Sequence, residues 1–211
     1  MADSKEKEGT LIVFEGIDGS GKTTQARRLF DELLRKGHND AVLTAEPTDK
    51  GIGMIIRNDL KETGGNLDPR TLQLVFTADR SQHVSRIIEP RLAAGNIVIC
   101  DRYYYSTAAY AYASGLNMGE FLHVNEVLFP KPAVALIFDL PAEVAAERLE
   151  ARNRKLERLE NIELQKNVRE GYKKLAKLSK LRCGEVRVVD AAASPDEVHK
   201  KVMEEASKHI S

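Results

Sequence analysis

The chain has 211 residues, enough for one domain with a full core; 42% are hydrophobic and 30% charged, with 32 basic and 32 acidic side chains. A net charge of zero argues against the broad basic face of a general nucleic-acid binder and leaves room for a local basic pocket. No apolar run approaches a membrane span, and the opening MADSKEKEG is charged, so the expectation is a cytoplasmic protein, not membrane-bound, with Cys100 and Cys183 reduced.

The first apolar run, TLIVFE at 10–15, predicts a buried strand, and the pattern over 22–36 predicts a helix directly after it. Strand AVLTAE (41–46) follows, then helices over 52–61 and 69–93, then strand NIVICD (96–101), whose Cys100 reads as a buried thiol. A helix over 117–128, strand AVALIFDL (133–140), a helical pattern over 142–180, strand EVRVVDA (185–191) and a helix over 195–209 complete the order. Short apolar strands alternating with helices predict an α/β fold spanning 1–211 as a single domain. It is a three-layer arrangement, with a five-stranded parallel sheet and helices on both faces. Within 142–180 the segment RLEARNRKLERLE (148–160) breaks the helical pattern with a dense set of arginines.

The join between the first strand and helix reads FEGIDGSGKTT. Gly16, Ile17, Asp18, Gly19, Ser20, Gly21, Lys22 and Thr23 fit G-x-x-x-x-G-K-[ST] in full, and Thr24 continues into the helix. Glycines let successive backbone N–H groups converge on phosphate oxygens, and the helix points its positive end at the same anion. Lys22 reaches the β- and γ-phosphates and the Thr23 hydroxyl ligates Mg²⁺. The pattern specifies a nucleoside triphosphate donor with magnesium and says nothing of the acceptor.

Asp101 ends a buried strand, on the side of a parallel sheet where ligands bind. It suits a metal held through water, or the N-cap of a following helix. Asp139, ending the next strand, reads as a cap or structural acid. Arg57, Arg80 and Arg102 follow strand or helix signals and suit phosphate or the edge of a base. Phe76 lies one helical turn before Arg80, so an aromatic face stands beside a guanidinium; packing in the core is the other reading of Phe76. The 148–160 segment is either a solvated charged helix or a flap that delivers an arginine to the transferring phosphoryl group and excludes water.

Taken together, FEGIDGSGKTT, EPT (46–48), FTADR (76–80), DRYYYSTAAY (101–110), PKP (130–132) and LERLE (156–160) resemble thymidylate kinases, P-loop nucleoside monophosphate kinases, over nearly the whole chain. The resemblance implies the P-loop NTPase fold with an arginine-rich lid, and transfer of the γ-phosphate of ATP to dTMP. It also implies a homodimer, with 69–93 as a candidate face. Carried over residue by residue, Lys22 and Thr23 handle ATP and Mg²⁺, and Asp18 contacts the acceptor's 3′-hydroxyl. Arg57 and Arg102 hold its phosphate, Phe76 stacks on thymine, Arg80 and Thr107 meet the base, and Asp101 holds the metal. Tyr110 crowds the sugar C2′ against a ribose. The P-loop interior has no arginine, so the catalytic guanidinium is expected from the lid, among Arg148, Arg152, Arg154 and Arg158. Ala111 stands where many members carry Gln, which bears on how tightly thymine is read. A kinase for another pyrimidine nucleotide or nucleoside, and a nucleotide-dependent switch protein, are the competing readings.

Overall fold

The computed structural model describes residues 9–61, 65–151, 159, 161–179 and 186–210. Five strands, β1 (Thr10–Gly16), β2 (Val42–Ala45), β3 (Ile97–Asp101), β4 (Val134–Asp139) and β5 (Val186–Asp190), form one sheet in the order β2-β3-β1-β4-β5. Every neighbouring pair is parallel, with Phe14 opposite Asp101 and Gly16 opposite Phe138. All five residues of β3 are buried, which requires cover on both faces and explains an uninterrupted IVIC run where alternation would mark a half-exposed strand. The core runs through these central strands and the helices packed on them, with Ile12, Val13, Phe14, Val98 and Ile99 at 0% exposure.

The first helix, α1 (Lys22–Arg35), buries Ala26, Leu29 and Leu33, one stripe at helical spacing. Helices α2 (Ile52–Lys61) and α3 (Pro69–His83) follow, and Asp68 caps α3 through the Arg70 and Thr71 amides. The predicted helix over 69–93 does not run as one regular helix. A π-helical stretch, Val84–Ile88, separates α3 from α4 (Glu89–Ala93). The later helices are α5 (Tyr104–Ala113), α6 (Met118–Leu128), α7 (Ala142–Glu150), α8 (Ile162–Ser179) and α9 (Pro195–Ala206), the last opened by a capping box between Ser194 and Glu197. The predicted pattern over 142–180 resolves into α7 and α8.

Helix α5 is absent from the sequence reading. Its sequence, YYSTAAYAYA, carries no amphipathic period, and eight of its ten residues are buried. It also carries no cap of its own. Glu15, inside β1, supplies one from across the core: its Oε1 accepts from the Tyr103 amide at 2.9 Å and the Ser106 amide at 3.3 Å. These are the orphan donors of a helix N-terminus, satisfied by a residue 88 positions away in the chain.

Candidate active site

The P-loop leaves β1, the strand where the connection order reverses and where parallel α/β sheets open their ligand crevice. Two glycines are dictated by different causes. A Cβ on Gly19 would lie 2.5 Å from the Ala145 carbonyl oxygen of α7, so only glycine admits that close approach. Gly21 has open space around it but a left-handed φ of 89°, and it starts α1 with no side-chain cap and no acid in the first turn. The helix N-terminus therefore keeps its amide donors and its positive dipole for an anion. The Ser20 hydroxyl oxygen is buried with no hydrogen-bond partner among the described residues.

Lys22 is buried, with its Nζ 3.3 Å from the Ile17 carbonyl and 3.5 Å from Asp18 Oδ1. Burial, then the nearby Arg102 guanidinium, lower the ammonium's pKa, and Asp18 works in the other direction. Asp18 is the hub of the loop. Its Oδ1 accepts from Arg102 Nη2 at 2.7 Å and its Oδ2 from the Tyr110 hydroxyl at 3.3 Å. Burial alone would raise the Asp18 carboxyl, but Arg102 and Lys22 hold it well below the usual carboxylate range. Thr23 Oγ1 donates to Asp101 Oδ2, while Asp101 Oδ1 is buried without a partner among the described residues. A hydroxyl and a carboxylate with an unsatisfied oxygen, at the end of β3 beside the P-loop, form a donor set that fits a hard divalent cation. Asp101 does not cap α5, which begins three residues later at Tyr104.

Arg102 has φ 70°, a left-handed conformation uncommon outside glycine. The chain holds it there through the Arg102 amide, which donates to the Phe14 carbonyl at 2.8 Å. The turn aims the guanidinium inward, with Nη1 3.1 Å from Ser106 Oγ and the charge 5.6 Å from the Tyr110 ring centroid. Backbone strain of this kind collects at functional positions.

A cavity of about 350 Å³ opens beside these groups. Asp18, Lys22, Arg57, Phe76, Arg102, Thr107 and Tyr110 all line it, so residues dispersed over about ninety positions converge on one space. Gln73 and Ser106 also line it, and neither was singled out from sequence; one is an ordinary polar helix residue and the other lies in the unread helix α5. Arg80 is placed differently from Arg57 and Arg102. It is 1% exposed and does not line the cavity. Its Nε and Nη2 both lie 2.8 Å from Glu46 Oε2, and its Nη1 donates to Thr107 Oγ1 at 3.1 Å and Asn125 Oδ1 at 2.6 Å. Tyr103 and Phe129 lie under the guanidinium, with ring centroids 5.3 and 5.9 Å away.

The two short motifs EPT and FTADR thus dock on each other. Arg80 and His83 bind Glu46, and Asp79 accepts from the Thr48 amide at 2.8 Å and the Thr48 hydroxyl at 2.6 Å. The carbonyls of Pro47 and Thr48 then accept from Arg57 and orient it. Of the arginines expected in a lid, Arg148 lies in α7 and donates to the Ala191 carbonyl at 3.1 Å, at the turn after β5. Arg152, Arg154 and Arg158 lie outside the described residues, as does Cys183. Leu159 lines the cavity and its carbonyl accepts from Gln165 of α8, whose Nε2 also donates to the Tyr110 hydroxyl at 3.2 Å. Asp139 forms a two-point pair with Arg169 at 2.6 and 3.0 Å, a structural use, and Cys100 is fully buried.

Glu15 underlies the site. Its Oε2 accepts from Ser106 Oγ at 2.6 Å and the Tyr172 hydroxyl at 3.0 Å, so it fixes the serine that contacts Arg102. Burial pushes the Glu15 carboxyl up from 4.5 to about 7, against the Ser106 hydroxyl, the Arg102 charge and the other donors. The folded protein then keeps a proton that the unfolded chain releases in that interval. The resulting stabilisation is fully present below pH 4.5 and is lost as pH rises through about 7. Its size is on the order of 3 kcal/mol. In Glu15→Gln the amide oxygen keeps the two backbone contacts and the NH2 donates to the Ser106 and Tyr172 hydroxyls, as a neutral, non-titrating side chain. Denaturant unfolding across this pH range should show the parent losing stability relative to the variant; a difference that does not change with pH contradicts the shift.

A sequence model of the thymidylate kinase family matches residues 14–202. A probable thymidylate kinase from Pyrococcus horikoshii is 40% identical over 199 residues, covering 92% of this chain and 94% of that protein. A thymidylate kinase from Oleidesulfovibrio alaskensis is 41% identical, covering 91% and 94%. The crystal structure of thymidylate kinase from Ehrlichia chaffeensis superposes with a TM-score of 0.73 at 32% identity, covering 94% of this chain and 99% of that one. No helix among the described residues is long and apolar enough to cross a membrane.

Proposed function

The chain belongs to the thymidylate kinase family, and on that premise we propose how its own residues carry out the transfer of the γ-phosphoryl group from ATP to dTMP, giving dTDP and ADP. An oxygen of the dTMP phosphate, already ionised at neutral pH, forms the new bond to the γ-phosphorus as the bond to the ADP oxygen breaks. No strong general base is needed, so catalysis is positioning and charge stabilisation. The P-loop amides and Lys22 take the ATP phosphates, and Arg102 and Arg57 hold the acceptor phosphate at the mouth of the cavity. Phe76 offers its face to the pyrimidine, while Thr107, fixed by Arg80, frames the base edge. Asp18, kept ionised by Arg102, accepts from the sugar 3′-hydroxyl. Thr23 and Asp101 would hold a Mg²⁺ ion, which would supply neutralisation of phosphate charge. The lid supplies the remaining guanidinium from Arg148, Arg152, Arg154 or Arg158.

The observation that carries this reading is the single cavity in which Phe76, Arg57 and Arg102 meet Lys22 and Asp18 of the P-loop. A switch protein has no use for a second, aromatic-and-arginine pocket against its triphosphate loop. The test is ADP formation from ATP with dTMP, dUMP, CMP, UMP and thymidine as acceptors. Turnover should depend strictly on a monophosphate and be fastest with dTMP; equal hydrolysis without acceptor contradicts it. In the same panel Tyr110→Ala should narrow the kcat/KM preference for dTMP over its ribonucleotide, because the ring no longer occupies the space beside C2′. An unchanged ratio would remove the steric role.

We place a homodimer contact on α3 and α6, which pack beside each other and leave Leu74, Val124, Val127 and Leu128 exposed. Val127 is 70% exposed, costly for an isolated apolar face and natural for a contact between copies. A monomer in sedimentation equilibrium would exclude it.

A further inference from the structure

β2 ends the sheet and pairs with β3 alone, so its outer edge is open between the two helical layers. Along that edge runs a second cavity of about 800 Å³, walled by α1 on one side and by the end of α3, the π-helical stretch and α4 on the other. Five cations line it: Arg27, Lys50, Arg57, Arg86 and Arg91, against two carboxylates, Asp49 and Asp101. The whole chain carries no net charge, so the excess is local. Among the described residues none of the five forms an ion pair. The π-helical stretch contributes to this clustering. Positions five apart fall about 140° apart on an α-helix, but a π turn closes at i→i+5, and Arg86 and Arg91 both face the cleft. Apolar surface is present as well: Phe30, with the Arg27 guanidinium 5.8 Å from its ring centroid, and Ile87, 41% exposed.

Unpaired guanidiniums gathered on one concave surface repel one another, and an anion that spans them removes that cost. The volume is nucleotide-sized. We infer that this cleft is a second anion site, taking a nucleoside polyphosphate with its phosphates among Arg27, Lys50, Arg86 and Arg91 and its base against Phe30 and Ile87. The cleft and the acceptor pocket share a wall made of Thr23, Ala45, Pro47, Arg57 and Asp101. An occupant therefore presses on Arg57 and on the EPT loop that orients it, and binding raises the KM for the acceptor. This coupling rests on the kinase reading; the binding itself does not.

The test uses the intact protein with its active site filled by a non-hydrolysable ATP analogue, Mg²⁺ and dTMP. Inorganic tripolyphosphate, a nucleoside triphosphate and a polyglutamate peptide are then titrated by calorimetry at low and at moderate salt. One further equivalent of the nucleoside triphosphate should bind per chain, more weakly at the higher salt. Equal binding of tripolyphosphate would keep the site and assign recognition to the phosphates alone. Arg86→Ala/Arg91→Ala should weaken that binding at least about tenfold, as should Arg27→Ala from the opposite wall. All these variants should retain the parent's kcat at saturating substrates. No heat with the active site filled, unchanged affinity in both variants, or binding of polyglutamate without polyphosphate overturns the proposal. Basal dTMP turnover, measured on the same samples, reports separately on the kinase reading.

Discussion

Lys22→Ala is expected to lower kcat by roughly 10²–10³-fold, the cost of removing one preorganised donor at a site of developing charge. The expectation follows from where the ammonium sits. It is buried against the Ile17 carbonyl and 3.5 Å from Asp18, so the P-loop itself fixes its position. A fixed charge in a dry site stabilises the spread negative charge of phosphoryl transfer without reorganising. The fold should survive, because Asp18 keeps Arg102 at 2.7 Å when Lys22 is gone. Single-turnover kinetics with saturating ATP and dTMP, paired with thermal unfolding, separate the two effects. A variant that turns over at near the parent rate removes Lys22 from the catalytic step, and one that unfolds at ordinary temperature removes the claim that its role is electrostatic.

The second large effect is expected at Arg102. Arg102→Ala should lower kcat/KM for dTMP by about 10²-fold or more while the KM for ATP changes little, since the guanidinium lines the cavity proposed for the acceptor. A stability loss accompanies it. Asp18 would lose its closest cation, at a cost on the order of 2 kcal/mol. This is less than for a fully buried pair, because Lys22 remains 3.5 Å away and the Asp18 side chain is 28% exposed. Arg102→Lys keeps the charge but not the fork that spans Asp18 and Ser106, so it should recover part of the stability and little of the activity. Recovery of full activity in the lysine variant would show that a point charge suffices, and an unchanged KM for dTMP in the alanine variant would place Arg102 outside the acceptor site.

Most of the fold is legible along the chain because the chain repeats one statement. Short apolar runs bounded by polar signals alternate with patterned helices, and a run such as IVIC, four apolar residues between Asn96 and Asp101, reads by its length and bounds as a strand covered on both faces. The P-loop is legible for a similar reason: its function lies in backbone donors and one lysine, which are local, so eight contiguous residues carry it. Helix α5 shows the limit. A helix buried nearly all round has no polar face, hence no period, and its cap comes from β1. The break in 69–93 does have a local signal, Pro90, which has no amide to donate back to position 86 and stands in the first turn of α4; that the chain answers it with a π-helical stretch is a matter of hydrogen-bond register and is not written in residue type.

Local information in the amino-acid order therefore settled the strands, most helices, the triphosphate loop and the family, each of them a property of neighbours in sequence. Three-dimensional packing decided which of three similar arginines lines the cavity beside the P-loop. Arg57 and Arg102 reach the cavity, while Arg80 turns into the core to meet Glu46. A guanidinium's task depends on which carboxylate or carbonyl lies within about 3 Å of it, and those partners come from elements 9 to 84 residues away. The same long-range pairing made a buried strand acid, Glu15, into the cap and anchor of α5, a role no reading of its neighbours contains.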